Sequence, residues 1–328
     1  MKTRYEDFYE WYVEQKSEVM PKIVKMFKND ISEYIFEKYK KEHNAIDWSD
    51  LEMALGQYTE KVAADQFRTL LFDISDNLKA YLKKEYSNFH EEAFDVEKFK
   101  SQLEDPIADH FVVSRRKILQ NFQNHLSSKI NIRIINFNYT NTIEDLLDFE
   151  NMLTWQSKNE QTVELSTIIH IHHVLSDQNI VIGVNDVDQI SNKDYHNNQD
   201  IRDVFVKPSA NMILGSYVEW VSESIIADTD LFVLYGTSVG ETDRFWWNKV
   251  ASRLLKSENS ARMIWFVHDK KKTLHADLLY PSVSRDVIPR FARIAGIPNI
   301  SIETLQKRIF VTLSNKMFSF SPKNSSST

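Results

Sequence analysis

Apolar residues recur every three or four positions through the first part of the chain. Tyr5, Phe8 and Tyr12 follow this spacing, and residues 67–82 repeat it. A stripe with this period is typical of amphipathic helices that bury one face against a core. We therefore predict a large, mainly helical N-terminal portion over residues 1–128.

One helix start can be placed within this region. Trp48-Ser49-Asp50-Leu51-Glu52 precedes an apolar stretch, and Ser49 or Asp50 can cap the first turn of a helix. Glu52 would then lie in that first turn, where the helix dipole favours a carboxylate. The sequence assigns Glu52 no further role.

The pattern changes at about residue 129 to short apolar runs separated by helical stretches. The runs predicted to be strands are residues 132–137, 163–174, 180–184, 230–235, 262–267 and 309–313. Strands that alternate with helices predict an α/β fold with a parallel, doubly wound sheet. We assign this core to residues 129–320 and a polar tail to residues 321–328. Residues 186–207, rich in Asp, Asn and His, are predicted to form a long loop or lid.

Composition removes several classes of protein. The chain has 328 residues, a net charge of −7, no cysteine and only 6 glycines. Acidic charge argues against duplex DNA as a partner, and the lack of cysteine excludes disulfides, thiolate metal sites and a cysteine nucleophile. No run has the roughly 18 apolar residues that a membrane helix needs, and no signal peptide is evident. We expect a cytoplasmic protein without a membrane anchor.

Two groups of polar residues follow predicted strands, where open α/β sheets bind ligands. Asn138 could hold a water or a ribose hydroxyl, or it could belong to an ordinary turn. His170 and His172 are expected on one face of a strand and His173 on the other. One of them could act as a general base, but a core histidine is an alternative, and no third ligand supports a metal site.

A third group lies in the turn over residues 236–243. It combines Gly236 and Gly240 with hydroxyl side chains and with Asp243, immediately before a predicted helix. Backbone N–H groups in such a turn can approach phosphate or ribose, and the carboxylate can accept hydrogen bonds from sugar hydroxyls. Glu241 to Asp243 could equally be ordinary N-terminal helix residues.

These stretches together resemble the bacteriophage abortive-infection AbiH family, a branch of sirtuin-like α/β proteins. The matching residues run from position 3 to position 243, with Trp246 and Trp247 following. They are Thr3-x-Tyr5-x-Asp7-Phe8, Trp48-x-Asp50-Leu51-Glu52, Phe137-Asn138-Tyr139-Thr140 with Glu144, Ile169-His170-Ile171-His172, and Tyr235-Gly236-x-Ser238-x-Gly240-Glu241-Thr242-Asp243. The segment from Asp230 to Val239 is also similar to the sirtuin strand that ends in Gly-Thr-Ser against the NAD ribose.

The resemblance implies a sirtuin-like, Rossmann-type sheet with a nucleotide pocket. It places Asn138 and His172 at the nicotinamide–ribose bond as catalytic residues. The residues expected to contact the cofactor, NAD, are Tyr139, Gly236, Thr237, Ser238, Gly240 and Asp243. Hydrolysis there requires stabilisation of an oxocarbenium-like centre and activation of a water or hydroxyl.

Two positions depart from the family pattern. The family's His-Gly pair is His172-His173 here, so the tight turn that glycine supplies must form otherwise. The family also begins with a strand and a Gly-Asn-Gly-Phe-Asp turn that would precede Met1. We expect roughly 15–20 residues, about one strand and one loop, upstream. The absent strand would leave a sheet edge unpaired.

The sequence and the family resemblance lead to two hypotheses about function, from different classes. The first is a phage-defence effector that binds NAD or a related nucleotide and hydrolyses it. The second is a non-catalytic module that senses a nucleotide or binds a phage protein, which the small number of glycines favours. The partners considered are a nucleotide, a phage-encoded trigger protein and further copies of the chain; nuclease activity has the least support.

Overall fold

The structure of the chain, a computed structural model, describes residues 5–16, 27–33, 35, 37, 48–89, 95–107, 116–120, 129–215, 217–256, 261–267 and 276–313. Helices dominate the described residues before position 129, as predicted. They are α1 (Tyr5–Lys16), α2 (Trp48–Tyr58), α3 (Ala64–Phe89) and α4 (Val96–Glu104), with a π-helical turn at Phe27–Ser32. A helix at Trp48–Glu52 is confirmed, but it already begins at Trp48, so Ser49 and Asp50 lie inside it and Glu52 follows its first turn. The tail over residues 321–328 lies outside the described residues.

Aromatic side chains fill the space between α1, α2 and α3. Tyr5, Phe8 and Tyr12 are almost completely buried, and the ring of Phe8 lies 5.7 Å from that of Tyr81. The Tyr12 hydroxyl donates to Asp73 at 2.6 Å. The amphipathic stripe seen in the sequence therefore corresponds to one shared helical core.

The predicted lid over residues 186–207 is wrong. The segment forms helical turns at Val187–Gln189 and Lys193–Asn197 and then helix α5 (Gln199–Phe205). Its buried side chains, Ile190, Tyr195, Ile201 and Phe205, join the core of the N-terminal helices. The polar residues that resemble a loop are caps: Asp186, Asn192 and Asn198 each accept a hydrogen bond from the backbone of the turn that follows.

Further helices cover the second half of the chain. A short helix, left without a number, spans Thr142–Leu147. The helices after it are α5 (Gln199–Phe205), α6 (Lys207–Gly215), α7 (Tyr217–Asp228), α8 (Arg244–Leu255), α9 (Ala276–Ile294) and α10 (Ile302–Arg308). In the part of the chain that the structure describes, every helix is too short or too polar to cross a lipid bilayer.

The strands form two small sheets among the described residues, and the single doubly wound sheet predicted from the sequence is not observed. In the first sheet, β1 (Lys129–Asn136) pairs in parallel with β3 (Thr162–His170), and β2 (Leu153–Gln156) pairs with β3 in antiparallel orientation. The second sheet is parallel throughout, with β4 (Leu231–Leu234), β5 (Arg262–Phe266) and β6 (Ile309–Thr312) in that order. The coarser prediction of a mixed α/β protein is confirmed.

Two strand predictions differ from the structure for identifiable reasons. Strand β2 is too short to give a clear alternating pattern. Residues 180–184 are buried but form only an isolated bridge, Val184 to Val206. A Cβ atom on Gly183 would lie 2.0 Å from the Phe205 carbonyl oxygen, so this apolar run packs directly against a neighbouring backbone instead of entering a ladder.

Strands β1 and β4 each lie at the edge of their sheet. Val233 within β4 and Tyr235 directly after it are 39% and 41% exposed, although both belong to an apolar run. A sheet edge of this kind can accept a further strand.

The turn after β3 forms without glycine. His173 has a φ angle of +65°, the left-handed backbone conformation in which histidine is tolerated better than most residues. Its ring Nδ1 lies 3.3 Å from Asp177 Oδ2, and the Val174 backbone donates to the same oxygen at 3.0 Å. A histidine thus occupies the position that the sequence comparison assigns to glycine.

We expect His173→Gly to be more stable than His173→Ala. Both substitutions remove the imidazole and its contact with Asp177. The difference between their free energies of unfolding therefore reports the backbone conformation alone. Alanine must hold the left-handed conformation, which should make it less stable than glycine by about 1 kcal/mol. Equilibrium unfolding in urea measures the difference; an alanine variant as stable as the glycine variant would show that the turn is not left-handed in solution.

Candidate functional site

Charged side chains from four separate parts of the chain meet in the interior. Lys207, at the start of α6, places its Nζ 2.9 Å from Glu52 Oε2 and 2.8 Å from Asp243 Oδ1. His172 Nε2 lies 3.0 Å from the same Asp243 oxygen. The four side chains are only 6–14% exposed. We call Glu52, His172, Lys207 and Asp243 the ionic cluster.

Glu52 reaches the cluster because it lies on the buried face of α2. Glu52, Leu55, Gly56 and Thr59 follow helical spacing and are all buried. Glu52 Oε1 accepts a hydrogen bond from the Gly183 backbone at 3.1 Å, and the Thr242 hydroxyl donates to Oε2. One carboxylate therefore joins α2 to the segment after β3 and to the turn that follows β4.

A helical turn over Glu241–Asp243 positions Asp243 directly before α8. The Asp243 backbone donates to the Gly240 carbonyl at 3.3 Å, which also accepts from Trp247 Nε1 at 3.0 Å. Gln189 Nε2 donates to the Glu241 carbonyl at 3.2 Å. These bonds hold the turn from both sides, so the Asp243 carboxylate has a fixed direction.

The environment shifts the pKa values of the two carboxyl groups of the cluster in opposite directions. Burial alone would raise the pKa of Asp243, but the Lys207 ammonium and the His172 ring outweigh it and hold that pKa well below its usual range. Burial raises the pKa of Glu52, because Lys207 offsets it only in part and Asp243 adds a like charge. Burial lowers the pKa of Lys207 by less than the two carboxylates raise it, so it stays above its ordinary value. Asp243 and Lys207 therefore form the permanent ion pair of the cluster.

The protonation of the His172 ring follows from its partner. An ionised carboxylate only accepts hydrogen bonds, so His172 Nε2 must donate to Asp243. In the neutral ring the lone pair is then on Nδ1, which has no hydrogen-bond partner among the described residues. The ring packs edge-on against Phe137 at 5.8 Å and lies 5.9 Å from the Tyr139 ring. A histidine oriented by a buried carboxylate is a common arrangement for proton transfer.

A cavity with an accessible volume of about 10 Å³ opens beside Lys207 and Asp243, whereas His172 is not among the described residues that line it. Side chains from α6, α7, α8 and the turn before α8 line the cavity, including Lys207, Asn211, Glu219, Asp243, Phe245 and Trp246. Burial raises the pKa of Glu219, and the nearby Glu223 adds to the shift. This volume is enough for about one water molecule. The cavity is therefore much smaller than the sites that usually bind drug-sized ligands.

The structure brings three of the predicted site residues together. His172 contacts Asp243, and Tyr139 lies beside His172 with its hydroxyl donating to the Val181 carbonyl at 3.0 Å. Burial, together with the charges of Glu52 and Asp243, raises the pKa of Tyr139 well above its usual value. Tyr139 therefore remains neutral and packs beside the ionic cluster.

Asn138 is exposed and makes a local turn. Its backbone and side-chain nitrogens donate to Asn136 Oδ1 at 3.0 and 3.1 Å, the Asx-type geometry that is the alternative interpretation of this position. His170 bonds to Glu144 at 2.7 Å and to the Asn138 carbonyl at 2.7 Å. The prediction that His170 and His172 share a strand face is wrong, because β3 ends at His170. A catalytic role for Asn138 stays a prediction.

The glycine-rich turn divides into two parts. Gly236 and Ser238 are exposed, and Thr237 accepts a hydrogen bond from the Val239 backbone at 3.3 Å. Gly240 is buried against α2, where an added Cβ would lie 2.7 Å from Ser49 Cβ. None of these residues is among those that line the cavity in the described structure. Cofactor contacts of Gly236, Thr237, Ser238 and Gly240 remain predictions.

Two members of the cluster escape prediction from the sequence. In the sequence, Glu52 resembles a carboxylate placed near the start of a helix to interact with the helix dipole. Its spacing from Leu55 and Thr59 nevertheless places it on the buried face. Lys207 follows the apolar residues Val204 to Val206 and precedes Pro208. A lysine enclosed by a buried run is the signal that could have identified it, because such a charge needs a partner.

Lys207→Met should destabilise the protein strongly. It leaves the buried Asp243 carboxylate without its counter-ion, for which we expect a loss of about 3–5 kcal/mol. Lys249→Met is the matched control, since Lys249 pairs with Glu223 at 2.7 Å but both side chains are almost 40% exposed. That control should cost less than about 1 kcal/mol. Urea unfolding of both variants tests the difference, and equal losses would contradict a buried ion pair.

Comparison with known proteins gives one match. The family model described as bacteriophage abortive infection AbiH matches residues 1–268, which include every member of the ionic cluster. Neither the curated proteins nor the solved structures contain a significant match. A match over this share of the chain establishes membership. The chain therefore belongs to the AbiH family of bacteriophage abortive infection proteins.

Proposed function

We propose that this protein acts in abortive infection by binding NAD in the pocket beside the ionic cluster and hydrolysing its N-glycosidic bond. Loss of NAD would stop the growth of the phage by stopping the cell. The proposal rests on Asp243, which belongs both to the ionic cluster and to the lining of the cavity. Its Oδ1 is held by His172 and Lys207, while the residue also borders the cavity.

The position of these residues supports a site of the sirtuin-like, Rossmann type. His172 follows the parallel strand β3, and Asp243 follows β4 of the other sheet. Ligands of open α/β sheets bind outside the carboxyl ends of parallel strands. In this proposal the carboxyl ends of the two sheets meet at the ionic cluster and form the two sides of the nucleotide site.

Hydrolysis of NAD requires stabilisation of a positive charge and a group that accepts a proton from water. Hydrolysis breaks the bond between ribose C1′ and the nicotinamide nitrogen, and the bonding electrons leave with neutral nicotinamide. The Asp243 carboxylate would stabilise the positive charge that develops on the ribose. Water then adds to C1′ and loses a proton. His172 contacts Asp243 but does not line the cavity, so it would accept this proton at Nδ1 only if the bound ligand extends to its ring.

The size and charge of the cavity limit how NAD would fit. The cavity has room for about one water molecule, so the side chains that line it would have to move apart before the ribose of NAD could enter. The carboxylates of Glu219 and Asp243 favour hydroxyl groups over phosphates at this position. The phosphates would then lie outside the cavity, where the exposed Gly236 and Ser238 offer backbone and hydroxyl groups.

A second candidate function is a non-catalytic module that senses a nucleotide and binds a phage-encoded protein. An exposed apolar surface on α6 and α7 favours it, with Met212, Ile213, Tyr217 and Trp220 between 61% and 70% exposed. Large exposed apolar surfaces usually mark sites of protein interaction. The same two helices carry Asn211 and Glu219 of the cavity, so a ligand and a protein partner could influence one another.

Release of nicotinamide from NAD by the purified protein tests the proposal. We expect turnover by the wild type and a loss of at least about 100-fold in His172→Gln, the effect usual for removal of a general base. Asn138→Ala tests the predicted catalytic amide separately, because this exposed side chain can be removed without opening a cavity. His196→Gln is the control, since His196 bonds to the Ile190 carbonyl away from the cluster.

Folding must be verified by circular dichroism for each variant before rates are compared. A folded wild type that releases no nicotinamide, even with phage lysate added, would contradict hydrolysis. Loss of phage protection in Trp220→Ser together with unchanged protection in His172→Gln would then favour the second candidate.

A further inference from the structure

Helix α7 carries a row of exposed, uncharged side chains along one face. The members of this row recur at intervals of three and four residues and are Tyr217, Trp220, Ser224 and Ala227. The opposite face of the helix is buried through Ser222, Ile225 and Ile226. A row with this spacing is the one through which a helix packs lengthwise against a second helix. We call the four exposed residues the α7 stripe.

The sizes of the side chains in the α7 stripe fall along the helix. The aromatic residues Tyr217 and Trp220 come first, and the small residues Ser224 and Ala227 follow. Two copies of the helix in antiparallel orientation would place Tyr217 opposite Ala227 of the second copy and Trp220 opposite Ser224. One two-fold axis satisfies both pairings, because Ser222 is the midpoint of each. Every large ring then meets a small side chain, so the two surfaces interdigitate.

The charges around the α7 stripe also suit a second copy. The stripe contains no charged residue, and none occurs over positions 208–218, so the pairing buries no charge there. Asp228 ends α7 with a side chain that is 69% exposed. In the antiparallel pair it lies at the start of α7 of the second copy, where the helix dipole favours a carboxylate. Glu223, at the side of the stripe, is already paired with Lys249 at 2.7 Å.

The exposed apolar area agrees with the needs of a dimer. An aromatic side chain can bury roughly 150–250 Å², so Tyr217 and Trp220, at 69% and 70% exposure, each offer on the order of 100–170 Å². Met212 and Ile213, close to the turn into α7, are 67% and 61% exposed and add further apolar surface. A stable interface buries about 800 Å² on each partner, of which about 65% is apolar in homodimers. These side chains supply most of that apolar area.

We propose that the α7 stripe is the interface through which two copies of this chain form a symmetric, antiparallel dimer. The proposal is independent of NAD. It assigns the exposed surface of α7 to a second copy of the chain, and a phage-encoded protein is the other occupant that the test must exclude. Helix α6, which begins with Lys207, leads into α7, so the dimer would restrain the part of the chain that supplies the ammonium of the ionic cluster.

Sedimentation velocity of the purified chain at concentrations up to about 100 µM tests the interface, since interfaces of standard size associate at or below micromolar concentrations. The wild type should pass from the mass of one chain to that of two. Trp220→Ser removes an aromatic anchor, and Ser224→Trp sets two indole rings against each other. Each change should weaken association at least about 10-fold. Ile300→Ser is the control, because Ile300 is 91% exposed and lies outside α7.

The double variant Trp220→Ser with Ser224→Trp makes the test specific. It exchanges the large and the small side chain, so each ring again meets a small residue of the other copy. Association should return to within about 3-fold of the wild type, because side chains in contact couple strongly. In another register, or with a phage-encoded protein on the same face, the two changes would not compensate one another.

Circular dichroism verifies that each variant is folded, which is expected because both positions are exposed. A folded wild type that keeps the mass of one chain at about 100 µM would overturn the proposal. A double variant that associates no better than either single variant would overturn it as well, since the antiparallel pairing requires the exchange to restore the fit.

Discussion

The pairing of Lys207 with Asp243 is the interaction on which the rest of the site depends. Both groups are buried, and each helps to keep the other charged, the ammonium by lowering the pKa of Asp243 and the carboxylate by raising the pKa of Lys207. Asp243 in turn orients His172, and Lys207 holds Glu52 on α2. Removing the ammonium would therefore disturb the contacts of Glu52 and Asp243 that join the helical core to the turn after β4.

This arrangement connects folding with chemistry. Glu52 belongs to the helical core, His172 to the segment after β3, and Asp243 to the turn before α8. The cavity borders the same ion pair, so its shape is fixed only when these parts are assembled. Buried ion pairs are rarely the most stable solution for a protein interior, and their retention beside a cavity is consistent with a role in binding.

The sequence predicts the parts of the fold that have a regular period. The stripe through Tyr5, Phe8 and Tyr12 identifies α1, and apolar runs locate β1, β3, β4, β5 and β6. Periodicity does not encode which strands pair, so two small sheets took the place of the single sheet expected. Nor does composition distinguish a loop from capped turns, and residues 186–207 are built from caps such as Asn192 and Asn198.

The candidate site is only partly predictable for a related reason. His172 and Asp243 follow strands, so their convergence is expected from position along the chain. Glu52 and Lys207 are 155 residues apart, and their pairing depends on how α2 packs against α6.

A double-mutant cycle between Lys207→Met and Asp243→Asn tests the central claim most directly. Urea unfolding of the wild type, both single variants and the double variant gives the coupling free energy between the two side chains. The structure predicts a coupling of about 1–3 kcal/mol, the range for residues in one buried network. Effects that add within about 0.5 kcal/mol would show that the two groups do not interact in solution, and the site described around them would not stand.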